Sequence, residues 1–251
     1  MDELIACLMN ALLIEEAVYN YILTNSPDKL RIVLENKYLS VNQPLNKYGG
    51  HTALHIAIIK GRTKCVKTLL DFNSDPVAED DCGKTPLELA FTYCRAECLE
   101  LLLGQHHMRP DSLWEMADLI QNRRSPPCVK TSLPILGCII KGTPVMSRSQ
   151  WQDLKNHLLL FDNADAMDIL KLAIVCGHRS RDFFKTHISD LPAEFQAWFA
   201  KFRSTPQLLM QLCNSAIRRS LTGTTVYRAT AFLPIPDRMK SYLIRPEIFL
   251  E

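Results

Sequence analysis

The chain has 251 residues, of which 47% are apolar and 22% are charged, and its formal net charge is +2. With only 9 glycines, the composition argues against an all-β fold built on many tight turns. The near balance of charge argues against a surface for nucleic acid or membrane lipid.

The cysteines and the first residues indicate the compartment. The 9 cysteines form no C-x-x-C pair, and Cys65 lies in an apolar helical pattern, where a reduced thiol behaves as a small hydrophobic group. The first ten residues, MDELIACLMN, are acidic where a signal peptide carries a basic region. No run reaches the roughly 18 apolar residues of a membrane span. We therefore expect a soluble intracellular protein with no membrane partner, in the cytoplasm and also in the nucleus.

The first predicted element lies in SPDKLRIVLENKYLSVN, residues 26–42. The segment looks like a helix, after which the step Val41–Asn42 leads into a hairpin. The segment has the form of the second helix of a repeat whose clearer copies follow.

The strongest organisational signal is a self-similarity with a period of 33 residues. The segment GGHTALHIAIIKGRTKCVKTLL (49–70) aligns at this offset with DCGKTPLELAFTYCRAECLELLL (81–103). The matched pairs are Gly50 with Gly83, Thr52 with Thr85, Leu54 with Leu87, Ala57 with Ala90, Leu69 with Leu102 and Leu70 with Leu103.

The matched positions have residue types that suit paired helices. Thr52 and Thr85 can cap a helix, and Pro86 suits a first helical position, where a missing N–H costs nothing. Gly61 suits a left-handed turn after the helix. The intervening segment NSDPVAEDDCGKT (73–85) is typical of a projecting hairpin.

This pattern resembles the ankyrin repeat, whose T-P-L-H-x-A signature and 33-residue period describe a β-turn and two antiparallel helices. Glu88 stands where the signature has His, and Val77 stands where Asn is usual. The resemblance implies clear repeats at about 50–82 and 83–104, with degenerate copies elsewhere. A generic pair of helical hairpins is the alternative.

Two later segments resemble decayed copies of the repeat. TSLPILGCIIKG (131–142) is similar to TALHIAIIKG if two residues are inserted, and MDILKLAIVCGH (167–178) follows the family's L-x-L-A-x-x-x-G-H. The period is lost over 104–166, where Pro126–Pro127 predicts a loop.

After residue 190, the aromatic residues of FQAWF (195–199) are expected to pack the end of the repeats against the helix that follows.

The next segment predicts a helix that starts at Thr205–Pro206 and stops by Gly223. Its apolar residues recur at i, i+3, i+4, i+7 and i+8 and form one stripe, while Arg218 and Arg219 suit the negative end of the helix dipole. The stripe comprises Leu209, Leu212, Cys213, Ala216 and Ile217. In LPIPDRMKSYL (233–243) two prolines fix φ at alternate residues, and a short helix then ends near Arg245–Pro246.

The order of these two motifs closely resembles the SOCS box, with an elongin-binding BC box followed by a cullin box of the type that selects cullin-5. The resemblance implies elongin contacts at Leu209, Leu212, Cys213 and Ile217. It implies cullin contacts at Leu233, Pro234, Ile235, Pro236, Met239, Tyr242 and Leu243. The fold it implies is all-α: an ankyrin-like helical solenoid with short β-hairpin loops over 1–203, followed by a small three-helix SOCS box over 204–251.

Ankyrin repeats followed by a SOCS box is the arrangement of the ankyrin repeat and SOCS box family. The resemblance implies a substrate-recognition subunit of a cullin-5 RING E3 ubiquitin ligase, bound to the elongin B–elongin C pair and cullin-5 with its RING partner. The ankyrin face would recruit an unidentified protein substrate. The expected substrate contacts are Ile59, Lys60, Arg62, Glu79, Asp80 and Asp81.

The sequence predicts no catalytic residue, metal or cofactor. It has no glycine-rich phosphate loop, G-x-S-x-G or H-E-x-x-H motif. Cys94, Cys98, His106 and His107 have no common zinc spacing, and the two cysteines are expected to share one helix face in the core. His55 is expected to form structural hydrogen bonds.

Two other functions are compatible with parts of the sequence. A non-ligase ankyrin scaffold or inhibitor would use its last helices as a cap, with Leu209 and Ile217 buried against its own repeats. A nucleic-acid-associated ankyrin protein would bind in a salt-dependent manner, but Arg123–Arg124 and HRSRDFFK (178–185) are short basic patches that suit a solvated surface.

Overall fold

The computed structural model describes residues 2–45, 48–105, 110–121, 129–158, 163–178, 191–204, 209–221 and 223–245. Most of the described residues lie in α-helices. Within the described residues, the β pairing is a single isolated bridge between Pro44 and Thr52. The predicted helical fold is therefore confirmed, while the β-hairpin loops stay a prediction.

The chain divides into two compact units, Met1–His106 and His107–Glu251. The predicted boundary between residues 203 and 204 is a family-based division and stays a prediction. Among the described residues, none of the helices has the length and apolar character needed to span a membrane.

The first unit is made of three pairs of consecutive helices. Within each pair the helices contact one another, and α1, α3 and α5 contact in succession, as do α2, α4 and α6. The helices are α1 (Asp2–Leu23), α2 (Pro27–Glu35), α3 (Ala53–Ile59), α4 (Thr63–Asp71), α5 (Pro86–Thr92) and α6 (Ala96–Gln105). The predicted second helix in 26–42 is α2, and its partner α1 was not foreseen from the sequence.

Capping boxes start α3 and α5, as the matched threonines predict. The backbone N–H of Thr52 donates to Nδ1 of His55 at 3.1 Å, and that of Thr85 donates to Oε2 of Glu88 at 3.4 Å. Glu88 also donates its backbone N–H to the Thr85 hydroxyl at 3.2 Å, and Pro86 occupies the first helical turn. The residue that departs from the family signature therefore has the same capping role as the signature histidine.

The helices end in one recurrent turn. After α3, Gly61 has φ +66° and the N–H of Arg62 donates to the carbonyl of Ala57 at 2.8 Å. After α5, Cys94 takes the same left-handed position with φ +50°. The prediction that Cys94 shares a helix face with Cys98 is therefore wrong, because Cys94 lies in the turn between α5 and α6.

Small and branched apolar residues fill the interior of the first unit. The six residues of the matched alanine pair and of the last two matched leucine pairs are all buried, with at most 6% of their surface exposed. Small alanines let paired helices approach closely, and the leucines fill the layer between repeats. They are Ala57, Ala90, Leu69, Leu70, Leu102 and Leu103.

The second unit is also helical in its described residues, including the part of 104–166 where the period is lost. In it α8 contacts α7, α10 and α13, and α14 contacts α12 and α13. The helices are α7 (Pro110–Gln121), α8 (Val129–Gly142), α9 (Arg148–Leu158), α10 (Asn163–Val175), α11 (Ala193–Ser204), α12 (Leu209–Ser220), α13 (Val226–Phe232) and α14 (Asp237–Ile244).

Several sequence predictions fall outside the described residues. These are the loop at Pro126–Pro127, the basic pair Arg123–Arg124, the helix start at Thr205–Pro206, most of HRSRDFFK, Pro246, and His106 and His107.

Candidate docking surface of residues 209–245

Three short helices, α12, α13 and α14, form the segment in which the sequence places both docking motifs. Thr225 caps α13, since its hydroxyl accepts the backbone N–H of Arg228 at 3.4 Å. The elbow between α13 and α14 is extended, with φ/ψ of −68°/131° at Leu233 and −56°/144° at Pro236. Proline fixes φ in this range, so the elbow follows directly from the L-P-I-P sequence.

The predicted apolar stripe of α12 faces outward. Leu212 has 48% of its surface exposed, Ala216 is exposed, and Cys213 and Ile217 are half-buried. The side chain of Leu209 lies outside the described part of the chain. An amphipathic helix normally buries its apolar side, so an outward stripe indicates a surface for a partner.

The inner face of α12 is polar. Asn214 and Arg218, one helical turn apart, are 4% and 1% exposed. We call these two residues the polar clamp. Charged side chains are almost never fully buried unless their hydrogen-bonding groups find partners.

Arg218 finds its partners at the ends of two helices. Its guanidinium donates to the carbonyl of Lys141 at 2.9 and 2.7 Å and to that of Thr143 at 3.2 Å, at the end of α8. It also donates to the carbonyl of Leu243 at 3.4 Å, in the last turn of α14. The C-terminal carbonyls of a helix carry partial negative charge, which offsets the buried cation. The expectation that Arg218 serves the dipole of its own helix is therefore wrong.

Asn214 contacts the same end of α14. Its side-chain N–H donates to the carbonyl of Tyr242 at 3.2 Å, next to the carbonyl that Arg218 contacts. The polar clamp thus binds two consecutive carbonyl oxygens in the last turn of α14.

Gly177, just after α10, lies against α12. It has φ +88°, and a Cβ added to it would lie 2.9 Å from Cβ and 3.3 Å from Cα of Ser215. The N–H of His178 donates to the carbonyl of Ala173 at 3.1 Å, which repeats the turn after α3. Only a glycine permits both this backbone conformation and this close approach.

His178 lies fully buried beside this contact. Its Nδ1 accepts the backbone N–H of Met146 at 3.2 Å, and its Nε2–H donates to the carbonyl of Ile140 at 3.0 Å. Burial and then the positive charge of Arg218 lower the pKa of His178 to about 3, although the bond to Ile140 acts in the opposite direction. The ring is therefore neutral at ordinary pH.

Most residues of the predicted cullin box lie at the surface. Pro234 and Pro236 are exposed, and Leu233, Ile235, Met239 and Tyr242 are half-buried. Leu243 is only 2% exposed, so its side chain belongs to the interior of the unit.

Phe232, which the sequence analysis missed, directly precedes this box. It is 70% exposed, and the guanidinium of Arg228 lies 4.7 Å from its ring centroid. Its position directly before the L-P-I-P stretch is the feature of the sequence that could have indicated a role for it in the docking surface.

The predicted substrate contacts lie in the first unit. Lys60, Glu79 and Asp81 are exposed, and Ile59 and Arg62 are half-buried. Asp80 is 8% exposed, and its Oδ1 accepts the backbone N–H groups of Cys82 and Lys84, each at 2.8 Å. The Asp80 carboxylate therefore stabilises its own turn and is not a surface group.

His55 has the structural role expected of it. Its Nδ1 accepts the Thr52 N–H and its Nε2 contacts the carbonyl of Lys84 at 3.0 Å. Burial lowers its pKa.

Cys98 and the aromatic residues of 195–199 have roles that are ordinary in a packed helical protein. Burial raises the pKa of Cys98 to about 11, which keeps that thiol protonated. Across the described residues, no group of three or more His, Cys, Asp or Glu side chains could hold a metal ion. Phe195 is fully buried and its ring lies 5.6 Å from that of Trp198.

Comparison with known proteins agrees with the two-part organisation. Residues 13–112 match the ankyrin repeats family in three copies, and residues 205–244 match the SOCS box family. The tyrosine-protein kinase HTK16 of Hydra vulgaris is 28% identical over 113 residues, which is 43% of this chain and only 15% of that protein.

The chain is therefore an ankyrin-repeat protein that carries a SOCS box. It belongs to the ankyrin repeat and SOCS box family. The combination supports a substrate-receptor role in cullin-RING ubiquitin ligases in general.

Proposed function

We propose that this chain is the substrate-recognition subunit of an elongin B–elongin C–cullin-5 RING E3 ubiquitin ligase, active in the cytoplasm and the nucleus. It performs no bond chemistry itself. It binds a protein substrate through its ankyrin face and raises the effective concentration of a substrate lysine near the ubiquitin thioester.

The outward apolar stripe of α12 is the observation that carries this proposal. A helix that only capped the solenoid would bury its leucines and expose its arginine. Here Leu212 is 48% exposed and Arg218 is 1% exposed. The described part of the stripe, in which Leu212 and Ala216 are exposed, suits insertion into a partner's hydrophobic groove, in this case that of elongin C.

The structure of the elbow supports the proposal that cullin-5 is the second partner. Pro234 and Pro236 restrict the backbone on either side of Ile235, so little conformational entropy is lost when Ile235 docks. Phe232 extends the apolar surface of the elbow by one large aromatic side chain. We assign cullin-5 to this surface from the resemblance of 233–243 to the cullin-5 type of box.

Substrate recruitment falls to the first unit. Lys60, Glu79 and Asp81 are exposed near turns and loops of the repeats, where ankyrin proteins commonly contact other proteins. Their mixed charges suit a protein surface rather than a polyanion.

A binding measurement with purified elongin B–elongin C tests the proposal. Leu212→Asp places a charge in the stripe and should weaken binding at least tenfold, because burying a leucine is worth about 2–3 kcal/mol and about 1.4 kcal/mol corresponds to a factor of ten. Leu212→Met keeps an apolar side chain and should bind like wild type. Leu13→Asp is the matched control, since Leu13 is a 62% exposed leucine outside this surface. Failure of the folded wild-type chain to bind would contradict the proposal.

A further inference from the structure

The two docking motifs are joined by hydrogen bonds, although the sequence presents them as separate. Asn214 and Arg218 project from α12, and their targets, the carbonyls of Tyr242 and Leu243, close α14. One helix thus carries the elongin stripe on its outer face and the polar clamp on its inner face.

The geometry restricts the position of α14. Two donors one helical turn apart contact two consecutive carbonyl oxygens, so sliding or rotating α14 would break both bonds. Arg218 also donates to Lys141 and Thr143, which ties α12 to the end of α8. A planar guanidinium spreads its N–H donors over three nitrogens and so spans two helix ends, whereas the ammonium of lysine places its three donors on one nitrogen.

In the part of the chain that the structure describes, the positive charge of Arg218 is compensated by backbone carbonyls and not by a carboxylate. Within the described residues its hydrogen bonds all go to backbone carbonyls, and the neighbouring His178 is neutral. A buried cation held by helix ends loses its compensation if those ends move away.

We propose that Asn214 and Arg218 are positioning residues that fix the cullin box of α14 relative to the elongin stripe of α12. The clamp makes the two boxes one composite surface, so that a partner on α12 and a partner on the elbow are held at one relative orientation. The functional part of this inference rests on the proposed function, whereas the clamp itself does not.

Two measurements on full-length protein test the clamp. Amide hydrogen exchange of the free chain should be at least tenfold faster in α14 for Arg218→Lys and for Asn214→Ala, with little change in α3 to α6. In the elongin-loaded complex, cullin-5 affinity should fall at least tenfold for Arg218→Lys, while elongin affinity stays within threefold. Arg219→Lys changes the exposed neighbour and should leave all three values unchanged.

The outcomes separate positioning from general destabilisation. Unchanged exchange in α14 in both variants would overturn the clamp, as would a parallel loss of elongin and cullin affinity. Because Asn214→Ala removes one neutral bond, it tests the clamp even if Arg218→Lys does not fold. Absence of cullin binding by wild type would contradict the proposed function and leave the exchange comparison, which needs no partner, to decide the clamp.

Discussion

The guanidinium of Arg218 donates two hydrogen bonds to the carbonyl oxygen of Lys141, at 2.9 and 2.7 Å. The two residues are far apart in sequence, and the contact connects the first helix of the SOCS box to the end of α8. Helix α12 is therefore packed into the second unit through its polar side, which leaves Leu212 and Ala216 on its apolar side exposed.

Replacing Gly177 with alanine should destabilise the protein by about 2–4 kcal/mol. The new methyl group would lie 2.9 Å from Cβ and 3.3 Å from Cα of Ser215, and the left-handed conformation at 177 costs about 1–2 kcal/mol for residues other than glycine. Gly223 is the matched control. It has φ +73° but nothing within 4 Å of an added Cβ, so Gly223→Ala should cost only about 1 kcal/mol. Thermal unfolding of the two variants measures the difference, and equal losses would contradict the close packing of α12 on Gly177.

The buried neutral His178 should make stability depend on pH. Its folded pKa of about 3 lies below the ordinary value of 6.5, so between these values the unfolded chain binds a proton that the folded chain does not. The contribution of His178 to the free energy of unfolding is constant above about pH 7. Below about pH 6.5 it falls by up to about 1.4 kcal/mol per pH unit.

Denaturant unfolding at pH 7, 6 and 5 tests this dependence in wild type and in His178→Gln. Glutamine can still donate to the carbonyl of Ile140 but does not titrate, so the variant should lose stability less steeply with acid. Equal slopes for the two proteins would show that His178 is not the source of the pH dependence.

The capping box of α5 should accept a histidine. Thr85→Ala removes the hydroxyl that accepts the Glu88 N–H and should cost about 1 kcal/mol. Glu88→His gives α5 the histidine that α3 has at the equivalent position, His55. The loss in free energy of unfolding should therefore stay below about 0.5 kcal/mol. Chemical denaturation of both variants checks the ranking, and a larger loss for Glu88→His than for Thr85→Ala would contradict the equivalence of the two caps.

The exposed aromatic residue beside the elbow should contribute to cullin binding. Phe232→Ala should weaken cullin-5 binding to the elongin-loaded chain about three- to tenfold, since burial of a large apolar side chain is worth about 1.5–3 kcal/mol and part of Phe232 is already covered by Arg228. Val145→Ala removes another exposed apolar side chain and should have no effect. Calorimetric titration of both variants measures this, and an unchanged affinity for Phe232→Ala would remove Phe232 from the interface.

The periodicity of the sequence determined which residues share a helix face but not which way that face points. The stripe of α12 was predicted from spacing, whereas its outward orientation depends on the carbonyls that Asn214 and Arg218 find on α8 and α14. Those partners lie 25–77 positions away along the chain, and no local pattern encodes them. Leu243 illustrates the same limit, because its helical spacing matched the docking motif while its side chain is buried.

The repeats were more predictable because their determinants are local. Thr52, Thr85 and Pro86 act within one helical turn, and Gly61 acts within one loop. Cys94 takes the left-handed position that Gly61 occupies in the preceding repeat, whereas its sequence context predicts a helix, because a cysteine has no conformational signature. Helices α7 and α9 escaped prediction as repeats, since their sequences do not follow the 33-residue period, whereas α8 contains residues 131–142, which resemble a decayed copy of the repeat.

Reconstitution of the assembly tests the central claim most directly. The full chain, elongin B–elongin C and cullin-5 with its RING partner are mixed and separated by size-exclusion chromatography with light scattering. The receptor account predicts one complex containing each component once, which loses all partners with Leu212→Asp and loses only cullin-5 and its RING partner with Ile235→Asp. Elution of the folded wild-type chain alone, with the partners in separate peaks, would contradict it.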